Sequence, residues 1–409
     1  MKYLLVIGDG MAENPLKVLD GKTPIEAAST PHMDILCSNG EQGLVRTIPE
    51  GISPGSDPGT LSIFGYDPRQ YFHGRSPLEA AGCDIFLEDG EISYRCNMIA
   101  LSEEETDFGA RCIISHSAGS IEGESSMELL SYLLADPAFG AAAVRHGLTF
   151  HPTPSFRHIL TKAGGSVDGF KATPPHDIIG KPIASYLPSG PGSGALLELM
   201  ELSSDILSSA PINLKRKEQG LLPANCIWPW AEGIATLLPS FKEKFGKTGL
   251  VVSAVPLVQG IARLAGLDAP TIPGATGELD TNYAGKVEAA KTALASYDFV
   301  CVHIEAPDEC THCGDLPGKI QAIENVDELV LAPLAKHLAQ SGNDYRILVM
   351  PDHQTLMTTR THGAEPIPYF IFDSQKPGGC KKPYGESFAT NGPFIDPGTD
   401  LIEKFFSEA

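Results

Sequence analysis

Three apolar runs of strand length each end directly in residues that bind cations or move protons. That recurrence constrains the fold more than any other feature of the chain. Lys2–Ile7 leads into Gly-Asp-Gly at Asp9, Phe299–Ile304 leads into Glu-Ala-Pro-Asp at Asp308, and Arg346–Met350 leads into Pro-Asp-His at Asp352 and His353. Short continuous runs of Val, Ile and Leu read as strands buried on both faces. Gly249–Val255 and Pro368–Phe372 are further runs of this kind, and helix-like segments (Leu257–Ala265, Gly285–Ser296) lie between Gly249 and Phe299. Such alternation implies a parallel sheet. The predicted fold is therefore α/β with a mostly parallel central sheet. In such sheets ligands bind outside the carboxyl ends of the strands, where these acids and imidazoles fall.

The candidate chemistry follows from those positions. Asp308 and His312 are four residues apart, so on a helical turn they share one face and can share one cation. Asp352 and His353 are adjacent, so they diverge and can serve two ions or brace one site from two sides. His362 follows in THGAEP. Near the other end of the chain, PGSDPGTLS (Pro54–Ser62) places Ser56 on a tight turn bounded by Gly and Pro. Ser56 is the candidate nucleophile. A serine hydroxyl needs a base or a metal to activate it, and no G-x-S-x-G elbow surrounds this one. Asp9, Ser56, Asp308, His312, Asp352, His353 and His362 form a mixed imidazole and carboxylate set. It suits Mn²⁺, Zn²⁺ or Co²⁺ better than Mg²⁺. Two such ions can clamp a phosphoryl group and deprotonate an attacking hydroxyl. Taken singly each residue has a plainer reading: Ser56 as a helix cap, Asp352 as a turn cap, His312 or His362 as a surface or packing residue. Cys310 and Cys313 form a lone C-x-x-C with no second pair to complete a structural zinc site, and read as incidental thiols.

Composition bounds the rest. With 409 residues the chain is long enough for two domains or one with an insertion. A formal net charge of −21 argues against nucleic-acid or anionic-membrane partners but leaves a small anionic substrate open. No apolar run approaches the roughly 20 residues of a membrane span, and MKYLLVIGDGM reads as a first strand rather than a signal peptide. Nine scattered cysteines suit a reducing cytoplasm. The oligomeric state is not legible.

Between residues 79 and 246 the pattern changes to short strand-like and helix-like pieces punctuated by Pro and Gly. This stretch is predicted to be an inserted α+β domain, leaving 1–78 and 247–409 as a metal-binding domain. Arg75 precedes the insertion. Arg and His suit phosphate and carboxylate, and Arg75, His116, Arg157, His158 and Arg216 are the candidates for holding substrate, from a wider group with Arg95, Arg111, Arg145 and His176. Thr30 and Pro31 are predicted to open a helix ending at Gly40. Neither Gly-Lys-Thr tripeptide, at Gly21 or Gly246, has the leading glycine of a P-loop. The Gly-rich PSGPGSGA precedes a helix-like run, and its amides can cradle a phosphate.

Gly8-Asp9-Gly10-Met11, GKTPIEAASTPHMD, PGSD with GYDP, GRSPLEAAG, DECTHCGD and MPDH with TH resemble, in this order and over nearly the whole chain, the archaeal-type cofactor-independent phosphoglycerate mutases. These belong to the alkaline phosphatase superfamily. The resemblance implies a phosphatase-like core with an inserted substrate-binding lid and two divalent metals. Asp308, His312 and His362 would hold one metal, and Asp9, Asp352, His353 and the Ser56 oxygen the other. It also implies a phosphoserine intermediate at Ser56 between 3-phosphoglycerate and 2-phosphoglycerate. There are departures. SHSAGSIEG (Ser115–Gly123) replaces an Arg-rich segment, Thr60 stands where many members have His, and Gln259 where many have Lys. NLKRKEQGLLPANCIWPWAEG and TPPHDIIGKPIASYLP look more like a branch proposed to be a homoserine kinase. The alternatives are thus an ATP-using phosphotransferase on an amino alcohol, or a metal-binding homologue without turnover.

Overall fold

The computed structural model describes residues 1–407. It divides into two compact units, one of residues 1–72 and 237–409 and one of residues 73–236.

The first unit is built on a seven-stranded sheet in the order Phe394–Ile395, Glu41–Val45, Ile367–Asp373, Tyr345–Met350, Lys2–Gly8, Phe299–Ile304, Gly249–Val252. Tyr345–Met350, Lys2–Gly8, Phe299–Ile304 and Gly249–Val252 run parallel to one another, while Ile367–Asp373 is antiparallel to both of its neighbours. The register pairs Ile7 with Met350 and Gly8 with Ile304. Three strands therefore end at one level, and the residues after them meet. Alternate side chains face opposite layers. Leu4, Val6, Val300, Val302, Ile347 and Val349 pack under the helices Tyr283–Ser296, Leu316–Asn325 and Ala332–Gln340. On the opposite face Tyr3 and Phe299 join an aromatic cluster with Phe241, Phe405 and Phe406.

The second unit is an antiparallel sheet with helices. Ile92–Leu101 is its hub, pairing with Ile113–Ser115, Arg157–Lys162 and Cys226–Ile234, while Leu148–His151 extends the edge. Gly123–Ala135, Pro137–Arg145 and Ser193–Ser208 supply the apolar cover, with Leu129, Phe139 and Leu199 fully buried. The boundaries fall at 72/73 and 236/237 rather than at 78/79 and 246/247. The reason is the helix Arg75–Gly82. Glu79 on it ion-pairs with Arg95 of the hub strand, and a Cβ on Gly233 would lie 2.5 Å from Pro77, so the helix is part of this unit. Among the described residues no single helix is long and apolar enough to cross a membrane.

The helix predicted after Thr30 spans Pro31–Ser38, but the Thr30 side chain does not cap it. The carboxylate of Asp327 accepts from the His32 and Met33 amides instead, at 3.2 and 2.6 Å.

Candidate metal centre

Ser56 opens the helix Ser56–Ile63, with Gly55 as its N-cap. A serine there is held at the positive end of the helix, next to amides without intrahelical partners. The helix reaches the strand ends because Gly59 has no side chain: a Cβ there would lie 2.9 Å from the Asp352 carbonyl. The Ser56 hydroxyl then stands 3.3 Å from Asp9 Oδ2 and 3.1 Å from His353 Nε2.

His353 Nδ1 lies 3.0 Å from the Gln354 carbonyl, which can only accept, so Nδ1 carries the proton. In the neutral ring Nε2 is therefore a bare lone pair. It faces Asp9 Oδ1 at 3.4 Å and Asp352 Oδ2 at 3.5 Å. Those two oxygens are buried and accept no hydrogen bond. The other oxygen of each carboxylate is occupied. Asp352 Oδ1 accepts the Gly10 and His353 amides at 3.1 and 2.9 Å, and Asp9 Oδ2 accepts His303 Nε2 at 3.1 Å. Buried acceptors turned on one another are costly unless a cation lies between them. Burial, with Asp352, Asp308 and Glu305 nearby, holds the Asp9 carboxyl well above the usual range. Donors and electrostatics both fit divalent metal.

The second donor group is Asp308, His353 and His362. Asp308 lies on the helix Ala306–Cys313 with His312 one turn later. His312 Nδ1 is 2.9 Å from the Arg360 carbonyl, leaving Nε2 to face Asp308 Oδ2 at 3.0 Å and His362 Nε2 at 3.1 Å. The Asp308 hydrogen bond pushes His312 up to about 9. Burial alone would raise Asp308, but His312, His362 and His353 pull it well below the usual range. All seven residues singled out in the sequence thus meet in one centre, and His353 belongs to both donor groups.

His303 is the member the sequence reading passed over. It lies within the buried strand and looks like one more core residue. Its Nδ1 is 3.2 Å from Ser253 Oγ, whose carbonyl in turn accepts from the Gln259 amide at 2.8 Å. Gln259 therefore braces the chain of contacts that ends on Asp9. Thr60, one turn after Ser56, is buried with its hydroxyl unpartnered. Cys310 and Cys313 are free thiols outside both donor groups.

The second unit carries a separate cationic and aromatic cluster. Buried Glu79 pairs with Arg75 and Arg95, each at 2.9 Å, and Arg95 stacks 4.4 Å over Trp230. His176 meets Trp230 at 5.3 Å and His116 at 6.0 Å, while His116 and Arg157 both contact Phe156. Burial would raise Glu79, but Arg95, Arg75 and Arg157 hold it below its ordinary value. Arg75, His116 and Arg157 are brought together here, joined by Arg95 and His176 from the wider group. His158 is not among them: it is fully buried, with Nδ1 accepting the Thr153 amide and Nε2 against Ser126. Arg216 ties down carbonyls of Leu222 and Ala118, bracing the SHSAG segment.

A mostly parallel sheet that gathers carboxylates and imidazoles around a serine at a helix N-terminus defines an α/β protein whose buried donor groups fit divalent cations. The family profile described as 2,3-bisphosphoglycerate-independent phosphoglycerate mutase matches residues 37–213. A 2,3-bisphosphoglycerate-independent phosphoglycerate mutase from Methanothrix thermoacetophila is 42% identical over 405 residues, covering 98% of each chain. Among solved structures, the PH0037 protein from Pyrococcus horikoshii aligns over 100% of this chain and 98% of its own, with TM-score 0.77 and 28% identity. The cofactor-independent phosphoglycerate mutase from Thermoplasma acidophilum, at 24% identity, covers both chains fully with TM-score 0.62 and shares the fold. The chain belongs to the 2,3-bisphosphoglycerate-independent phosphoglycerate mutase family.

Proposed function

We propose that this chain interconverts 3-phosphoglycerate and 2-phosphoglycerate without 2,3-bisphosphoglycerate, through a phosphoserine at Ser56. The observation that carries the reading is the convergence of the Ser56 hydroxyl, the His353 Nε2 lone pair and the two unpartnered carboxylate oxygens of Asp9 and Asp352.

Two divalent ions, Mn²⁺ or Zn²⁺, fit the donor set: one with Asp308, His312 and His362, the other with Asp9, Asp352, His353 and Ser56. Bound there, they would supply Lewis acidity toward the phosphoryl oxygens and lower the pKa of the serine hydroxyl. The chain's own residues do the rest. Asp9 Oδ2 accepts from the Ser56 hydroxyl and orients it. Ser56 Oγ bonds to phosphorus as the bond to the O3 atom of substrate breaks, and the serine proton passes to the departing alkoxide. The glycerate turns, its O2 hydroxyl attacks the phosphoserine, and its proton returns to Ser56. Splitting the transfer in two lets one nucleophile serve both hydroxyls. Arg75, Arg95, Arg157, His116 and His176 suit the carboxylate and phosphate of the substrate. The second unit is proposed to act as the substrate-binding lid, excluding the water that would otherwise hydrolyse the phosphoserine.

The test uses metal-stripped protein reloaded with Mn²⁺ or Zn²⁺. One arm offers 3-phosphoglycerate with an enolase readout and no ATP, the other homoserine with ATP. Turnover in the first arm, absent in Ser56→Ala, is expected. Turnover in the ATP arm alone would overturn the mutase reading and leave the metal centre standing.

A further inference from the structure

Thr355 is buried between the two donor groups and belongs to neither. Its hydroxyl donates to Asp308 Oδ1 at 2.5 Å and stands 3.2 Å from His353 Nδ1. It thereby touches a ligand of one group and the imidazole common to both. Its backbone is equally committed. Thr355 pairs with His362 across the short hairpin formed by Gln354–Leu356 and Thr361–Gly363. Its carbonyl accepts the buried Lys319 ammonium at 2.7 Å, and its amide donates to Ala12 at 3.2 Å. Ala12 lies three residues after Asp9 in the chain, so one residue contacts or adjoins segments carrying Asp9, Asp308, His353 and His362. Gly10 lies directly over the Thr355–Asp308 hydrogen bond: a Cβ there would be 2.3 Å from Thr355 Oγ1 and 2.7 Å from Asp308 Oδ1. The chain leaves room at Gly10 for this contact and no other side chain.

We propose that Thr355 is a positioning residue for the cation centre. Its hydroxyl fixes the carboxylate plane of Asp308 and the spacing between Asp308 and His353, so that the two donor groups stay in register. The inference rests on the divalent-cation reading above. Outer hydrogen bonds to metal ligands set ligand orientation, and their loss commonly weakens metal binding about 10- to 100-fold.

The test is calorimetric titration of the metal-free full chain with Mn²⁺, comparing wild type, Thr355→Ser and Thr355→Val, alongside thermal melting of each metal-free protein. Thr355→Val keeps the volume and removes the hydroxyl. The expected result is a loss of about 10- to 100-fold in Mn²⁺ affinity for Thr355→Val, wild-type affinity for Thr355→Ser, and similar metal-free melting for all three. Thr355→Ala gives the same deletion if the valine variant fails to fold. Equal Mn²⁺ affinity in wild type and Thr355→Val overturns this inference alone. So does Thr355→Ser binding as weakly as Thr355→Val. A wild-type chain that takes up no divalent ion overturns the metal reading and the role of Thr355 with it.

Discussion

Replacing His158 by Gln separates a structural histidine from a substrate-binding one. The imidazole is fully buried. Nδ1 accepts the Thr153 amide at 3.1 Å, and Nε2 lies 3.1 Å from the Ser126 hydroxyl, which itself donates to the Ser155 carbonyl at 2.8 Å. Both nitrogens are committed in the neutral ring, and burial pulls the pKa from 6.5 down to about 4. Between those values the unfolded chain binds a proton that the folded chain refuses. The stability from neutral His158 is therefore fully present above the unfolded value and is lost as pH falls toward the folded one. The shift, at about 1.4 kcal/mol per unit, makes this contribution about 3 kcal/mol. His158→Gln should cost about 1–3 kcal/mol at neutral pH for imperfect hydrogen bonding. It should also remove the acid dependence. Both tryptophans, Trp228 and Trp230, lie on Cys226–Ile234, so urea unfolding followed by tryptophan fluorescence reports this unit. The gap between wild type and variant should narrow by about 2–3 kcal/mol between neutrality and about pH 4.5. A gap that stays constant with pH would refute the argument. A large rise in KM with unchanged stability would return His158 to the substrate cluster.

Other outcomes follow from the same geometry. Gly10→Ala must adopt φ of 59° and push on Thr355 and Asp308; urea unfolding should show a loss of about 2–4 kcal/mol, with weakened Mn²⁺ binding. Ser56→Ala should lose at least about a thousandfold in kcat while keeping its melting temperature, measured with coupled enolase and by scanning calorimetry. Arg157→Ala should lower kcat/KM for phosphoglycerate by about 10- to 100-fold, in steady-state kinetics, for the loss of one charged hydrogen-bond donor. Chelation should abolish turnover and lower the melting temperature, because an ion present at about 100 times its Kd stabilises the fold by about 2.7 kcal/mol. Restoration by Mn²⁺ or Zn²⁺ in the same calorimeter completes that check.

Much of the centre was legible in the sequence because strand ends announce themselves. Asp9, Asp308, Asp352 and His353 follow runs apolar enough to be strands, and a parallel sheet brings such ends to one level. The α/β core and the change of character in the middle of the chain came from periodicity and Gly/Pro punctuation in the same way. Those signals are local, and local patterns fix which segments become strands and helices.

Tertiary structure alone decided the partners. Nothing near Thr30 shows that a carboxylate from Asp327 caps the next helix. Nothing in Phe299–Ile304 marks His303 as the residue holding Asp9 rather than one more buried side chain. His158 and Arg157 are neighbours with opposite fates, His158 fully buried and Arg157 partly exposed, since successive residues of a strand face opposite sides of the sheet. His353 serves both donor groups because Asp9 and Asp308 reach it from distant segments of the chain. Local pattern supplies acids and imidazoles at strand ends. Register and long-range packing determine which oxygen of each carboxylate is hydrogen-bonded and which is left for a cation.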